Sequence, residues 1–154
     1  MQVIFVTVFL YTVPRKTEPC RRSGCPINIS LETIGDRWSL LIIRDMMMRG
    51  FRTYQEFLSS GEGIATNILA DRLRKLEGSG IISTSRDPAD RRKLIYRLTQ
   101  KGIGLGPVLL ELALWSARYE TTEAPPAMIQ KMEKNRAAFL AEVRRKWQRE
   151  KSLV

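Results

Sequence analysis

The side chains in this sequence best suited to chemistry are ones that hold phosphate and read base edges, not ones that move protons. Arg86, Arg91, Arg92 and Lys93 crowd around Asp87-Pro88-Ala89-Asp90. A guanidinium there presents a planar fork of donors that matches phosphate oxygens, and a nearby aspartate can orient it. Upstream, Thr66, Asn67, Ala70 and Arg74 recur at intervals that place them on one face of a helix. Asparagine suits adenine and arginine suits guanine because each makes two parallel hydrogen bonds to that base, worth roughly 1–3 kcal/mol of discrimination. The sequence contains no histidine, so the commonest general base and the commonest metal ligand are both missing. Cys20 and Cys25 are too few for a four-thiolate zinc site and lack the spacing of a redox pair with two intervening residues. No glycine-rich phosphate loop occurs and the carboxylates are scattered, so an enzyme would lack its parts. Neither a metal nor a cofactor is expected.

The elements that must carry these side chains are legible from period and punctuation. Leu69, Leu73 and Leu76 fall on one helical face, opposite Thr66, Asn67, Ala70, Asp71 and Arg74, and Gly78 and Gly80 supply a stop signal. The next residues change period: Ile81–Thr84 and Leu94–Leu98 are β-prone and are separated by turn residues, which predicts a hairpin tipped with arginine. The stretch Gly63–Thr99 therefore reads as helix plus wing. Ala65 stands where a hydroxyl cap is expected, so Thr66 is either the cap or a base contact.

Length and charge set the class. At 154 residues with 44% hydrophobic content the chain can hold one domain with a real core and a helical appendage. A formal net charge of +10 and a pI near 10.1 favour a polyanionic partner, with double-stranded DNA first. A membrane surface fits less well, because the basic residues best placed to act lie in the wing rather than along an amphipathic helix. Residues Met1–Val13 are almost wholly apolar but shorter than the roughly 20 residues a spanning helix needs, and Arg15 and Lys16 follow the run rather than precede it. Export is disfavoured and a reduced, cytoplasmic setting is expected. The segment is an added strand, a partner-exchanged arm, or an appended start. Residues 1–24 are read as arm and linker, 25–120 as the DNA-binding domain with its dimerisation helix, and 121–154 as a C-terminal helical arm.

Between Ile27 and Gly50 two helices are predicted, interrupted at Gly35-Asp36, with Pro26 at the first position of one and Gly50 ending the other. Thr53 and Glu56 form a capping-box pattern ahead of Phe57. This is helix-turn-helix directly before the hairpin, the order in which one helix braces another that enters the major groove. From Ile103 to Tyr119 one helix is apolar on more than one face: Leu105, Val108, Leu109, Leu112 and Trp115 form one stripe, Leu110 and Leu114 another. Burying both faces in a domain this small calls for a second subunit, so a homodimer is expected through the first stripe. After Pro125-Pro126, the residues Met128, Met132, Phe139, Leu140, Val143 and Trp147 trace a seam on one last helix. That helix packs on its own or its partner's domain, with calmodulin-like or membrane docking as the alternative.

Cys25-Pro26, Ile34-Gly35-Asp36-Arg37-Trp38-Ser39-Leu40-Leu41-Ile42, Arg52-Thr53-Tyr54-Gln55-Glu56-Phe57, Gly63-Ile64-Ala65-Thr66-Asn67-Ile68-Leu69, Arg72-Leu73, Leu76-Glu77, Leu98-Thr99 and Gly102 together resemble the HxlR-type transcriptional regulators, MarR-like winged helix-turn-helix proteins. The wing Asp87–Arg92 is similar to the Asp-x-Arg-Arg wing of the wider MarR group. The resemblance covers Cys25 to about Trp115. It implies a mainly α fold with a small β-hairpin wing (α+β), and a homodimer that binds inverted-repeat operator DNA. Thr66, Asn67, Ala70 and Arg74 would read sequence, and Arg91, Arg92, Lys93 and Arg52 would hold phosphate. Cys25, at a predicted helix start where the dipole favours a thiolate, is either an inert thiol or, as the resemblance implies, a redox switch with Cys20 as a candidate partner. The alternatives to a specific regulator are a winged-helix protein-interaction module and non-specific nucleic-acid binding.

Overall fold

The structure, a computed structural model, describes residues 23–152; the apolar run Met1–Val13 and Cys20 lie outside them. Helix α1 (Pro26–Ile34) starts with its proline in the first turn, where a missing N–H costs nothing. Asp36 separates it from α2 (Arg37–Arg44) and caps α2 by accepting from the Ser39 N–H at 2.9 Å. The helix then widens into a π-turn (Asp45–Arg49) and stops at Gly50, whose φ of 78° is the left-handed conformation glycine adopts without strain.

Helix α3 (Tyr54–Leu58) carries the expected capping box, with Thr53 and Glu56 each bonding the other's backbone N–H. Helix α4 (Thr66–Gly78) buries Leu69, Leu73 and Leu76. Strands β1 (Ile82–Arg86) and β2 (Leu94–Leu98) pair antiparallel from Ile82 opposite Leu98 to Arg86 opposite Leu94, and a bridge from Thr53 to Ile95 adds a third edge. The predicted helix-turn-helix and wing are therefore present. The core joins Ile42, Ile43, Met46 and Met47 to Phe57, Leu69, Leu73, Leu76, Ile81, Tyr96 and Leu98.

Two expectations of the sequence reading are corrected on the C-terminal side. The single helix from Ile103 to Tyr119 is two: a short α5 (Gln100–Ile103), then α6 (Gly106–Tyr119), with Leu105 as the residue that precedes it. The apolar pattern runs across the break, which is why periodicity alone misses it. Likewise the last helix is α7 (Pro126–Lys134) and α8 (Arg136–Ser152), divided at Asn135, whose side chain accepts from the Ala138 N–H at 2.9 Å. Met132 and Phe139 pack on Leu110 and Leu114 of α6, and the Trp147 indole donates to the Leu98 carbonyl at 2.8 Å, so this arm lies on its own domain. Among the described residues no helix is long and apolar enough to cross a membrane.

Candidate nucleic-acid interface

Helix α4 is held from both sides in a way that leaves one face free. The Tyr54 hydroxyl on α3 donates to the Thr66 carbonyl at 2.7 Å. From α2, the Asp36 carboxylate lies 3.4 Å from Arg72 Nε and 3.5 Å from Lys75 Nζ while also accepting from the Ser39 hydroxyl at 2.6 Å. Burial opposes its charge, yet these hydrogen bonds and the two cations prevail and hold the Asp36 carboxyl below its usual value. The opposite face presents Thr66, Asn67 and Arg74 to solvent, with Ala70 half-buried between them. Arg74 is 78% exposed and only loosely engaged by Asp71 at 3.6 Å, so its guanidinium is free to reach. Ala65, not Thr66, is the cap residue, and it offers no side-chain acceptor. The first N–H groups of α4 are therefore open to an anion, and the Thr66 hydroxyl is released from a capping role.

The wing tip is ordered by its own backbone. Asp87 N–H donates to the Lys93 carbonyl at 3.0 Å, Lys93 N–H to the Asp90 carbonyl at 2.9 Å, and Arg86 Nη1 to the Arg91 carbonyl at 2.7 Å. Asp90 accepts from both the backbone and Nε of Arg92, which depresses the aspartate and aims a guanidinium that is 92% exposed. Arg91 and Lys93 are exposed and make no ion pair among the described residues.

Arg52 is a correction. Sequence reasoning makes it a phosphate contact, but its guanidinium is turned inward, 18% exposed, donating to the Met46 and Phe51 carbonyls and pairing with Glu150 of α8. The long reach to Glu150, 98 residues away, is invisible to local pattern. The apolar stripe of α6 also divides: Leu105 and Leu109 rest partly on their own core, whereas Val108, Leu112, Trp115 and Tyr119 stand 44–63% exposed. Cys25 is exposed at the start of α1. Sequence reasoning missed Asp36 as the brace of α4; the signal available was an aspartate with a serine three residues on at a helix start. It also missed buried Asp45, which pairs with Arg44 at 2.7 Å and Arg49 at 3.3 Å, and Glu62, which receives Arg44 at 2.9 Å. Arg49 donates in turn to the Ser60 carbonyl, tying the π-turn to the loop that leads into α4. Among the described residues no three His, Cys, Asp or Glu side chains converge as a metal site.

A family model described as an HxlR-like helix-turn-helix matches residues 33–124. The chain belongs to the HxlR-like helix-turn-helix family. Among relatives of this HxlR-like protein, the HTH-type transcriptional regulator sll1512 of Synechocystis is 33% identical over 97 residues, 62% of this chain and 71% of the relative. The HTH-type transcriptional regulator YodB of Bacillus subtilis is 32% identical over 96 residues, covering 62% of this chain and 85% of YodB. Among solved structures, PA1607 superposes with a TM-score of 0.61 at 36% identity, covering 68% of this chain and 72% of PA1607. The oxidised form of the redox regulator HypR does so with 0.57 at 27%, covering 64% of this chain and all of HypR. The HxlR-like protein is thus a DNA-binding helix-turn-helix transcriptional regulator, not an enzyme, and the motif resemblance is borne out. Helix α8 lies wholly beyond the matched residues.

Proposed function

We propose that this regulator binds inverted-repeat operator DNA as a homodimer, α4 entering the major groove and the wing gripping the flanking backbone or minor groove. The observation that carries the reading is the pairing of an α4 face left open by its braces with a wing tip closed by its own hydrogen bonds and carrying exposed Arg91, Arg92 and Lys93. Thr66, Asn67, Ala70 and Arg74 form the base-reading surface, with Arg91, Arg92 and Lys93 supplying phosphate contacts. Val108, Leu112 and Trp115 form the apolar row a second copy would cover, and two α4 helices must then lie about one DNA turn, near 34 Å, apart. The expected setting is the cytoplasm.

A gel shift with DNA upstream of the protein's own gene, at two salt concentrations, tests this. Sequence-selective binding that survives the higher salt supports it; weak binding lost at slight salt with no sequence preference favours generic nucleic-acid affinity, and no binding at all favours an interaction module. A second reading, redox control through Cys25, is supported by its exposure at a helix start and by HypR being a redox regulator. Operator binding unchanged by diamide would overturn that part alone.

A further inference from the structure

We propose that the cavity between the wing root and α8 is a binding site for a small organic carboxylate, whose place is held in this structure by the Glu150 side chain. The cavity, of about 450 Å³, is lined by Arg52, Ser83, Arg97, Thr99, Trp147 and Glu150 among others. Arg52 and Arg97 both line it, Arg97 with its Nη1 donating to the Ser85 hydroxyl at 2.9 Å, and Glu150 is the carboxylate that closes it. Glu56, the other acid acting on Arg52, is already committed: its Oε2 accepts from the backbone N–H of Arg52 at 2.8 Å and of Thr53 at 2.7 Å.

Arg52 is prepared for an anion. Its Nη1 is fixed by the Met46 and Phe51 carbonyls at 2.8 and 2.7 Å, which leaves Nη2 directed at Glu150. A donor already held in place loses little freedom when a ligand arrives. Burial and the neighbouring Arg97 charge both disfavour its protonated form, and Glu56 opposes them. The Trp147 ring, anchored by its bond to the Leu98 carbonyl, supplies an apolar wall for a planar body.

Glu150 sits in the last turn of α8, which ends at Ser152, and terminal helical turns open at little cost. Exchanging its carboxylate for a ligand's leaves the charge balance unchanged, so Glu150 acts as a tethered competitor. The site also adjoins the wing: the Arg52 carbonyl accepts from the Tyr96 N–H of β2 at 2.7 Å. This inference does not depend on the DNA reading, and its test needs no DNA.

The experiment is calorimetric titration of the full chain with phenylacetate, with neutral phenylacetamide as the control. One saturable site per chain is expected. Glu150→Ala should tighten phenylacetate about tenfold, because apparent affinity is reduced by the fraction of time the site is closed. Arg97→Gln should weaken it about fivefold, through a lost charge. Glu150→Gln, which keeps the side chain's size, serves if the alanine variant fails to fold. No phenylacetate binding to a folded Glu150 variant, equal binding of the amide, or affinity indifferent to both substitutions would each overturn the proposal.

Discussion

Substituting Asp36 separates what a helix cap contributes from what a charge contributes to holding α4. The carboxylate caps α2 through Ser39 and faces Arg72 and Lys75 across the helix pair, at side-chain exposures of 23%, 25% and 34%. Losing the cap on replacement by alanine costs about 1 kcal/mol. Each partly exposed ion pair adds roughly 0.2–1 kcal/mol. Asp36→Ala should therefore destabilise by about 2 kcal/mol, and Asp36→Asn, which keeps the cap acceptor, by roughly half as much. For a chain of this size that is a drop in Tm of about 4–8 °C for alanine. The pH dependence has a definite sign. Because the folded carboxyl is held below the ordinary 3.8, its stabilisation is fully present above that value and is lost as pH falls through the folded value. Urea unfolding over a descending pH series should show wild type and Asp36→Asn well separated at pH 7 and 5, with the gap narrowing as pH falls below 3.8. A gap that does not narrow at all below pH 3.8, or an asparagine variant as damaged as alanine at pH 7, would refute the account.

Arg91→Ala should weaken binding to all DNA sequences alike and lower the slope of log affinity against log salt by about one unit, read by fluorescence anisotropy over a salt series. Asn67→Ala should instead lose roughly 1–3 kcal/mol of preference at one base pair and leave the salt slope unchanged, as checked by competition with single-substitution operators. Leu112→Glu should yield a monomer by light scattering while the fold survives, since that side chain is 46% exposed. In Gly102→Ala the new Cβ would fall on the Ile81 carbonyl oxygen and within 2.9 Å of Leu98 Cδ2, so a loss of about 2 kcal/mol is expected in urea unfolding.

How much of this was legible in the chain depended on range. Helix α4 and the hairpin announce themselves because Leu69, Leu73 and Leu76 keep one period, and glycines and turn residues mark where it changes. Thr53 and Glu56 act within three residues, and their capping box is where the pattern placed it. The breaks before α6 and at Asn135 were hidden because apolar residues continue in phase across them. Arg52 looked like a surface cation until α8 brought Glu150 to it, and no local rule anticipates a partner that distant. The α6 stripe is legible as a set of apolar residues, but which of them face out depends on where α7 and α8 settle.

The π-turn at Asp45–Arg49 works as a phase adjuster. A wider coil advances each residue through a smaller angle than an α-helix does, so consecutive side chains fan out less. That explains how Asp45, Met46 and Met47, three neighbours in sequence, are all buried. Rewinding the segment into α geometry would rotate one of the three toward solvent and turn Arg49 away from Ser60. The helix ahead of the π-turn and the loop behind it are thus geared to each other through a single loosened coil.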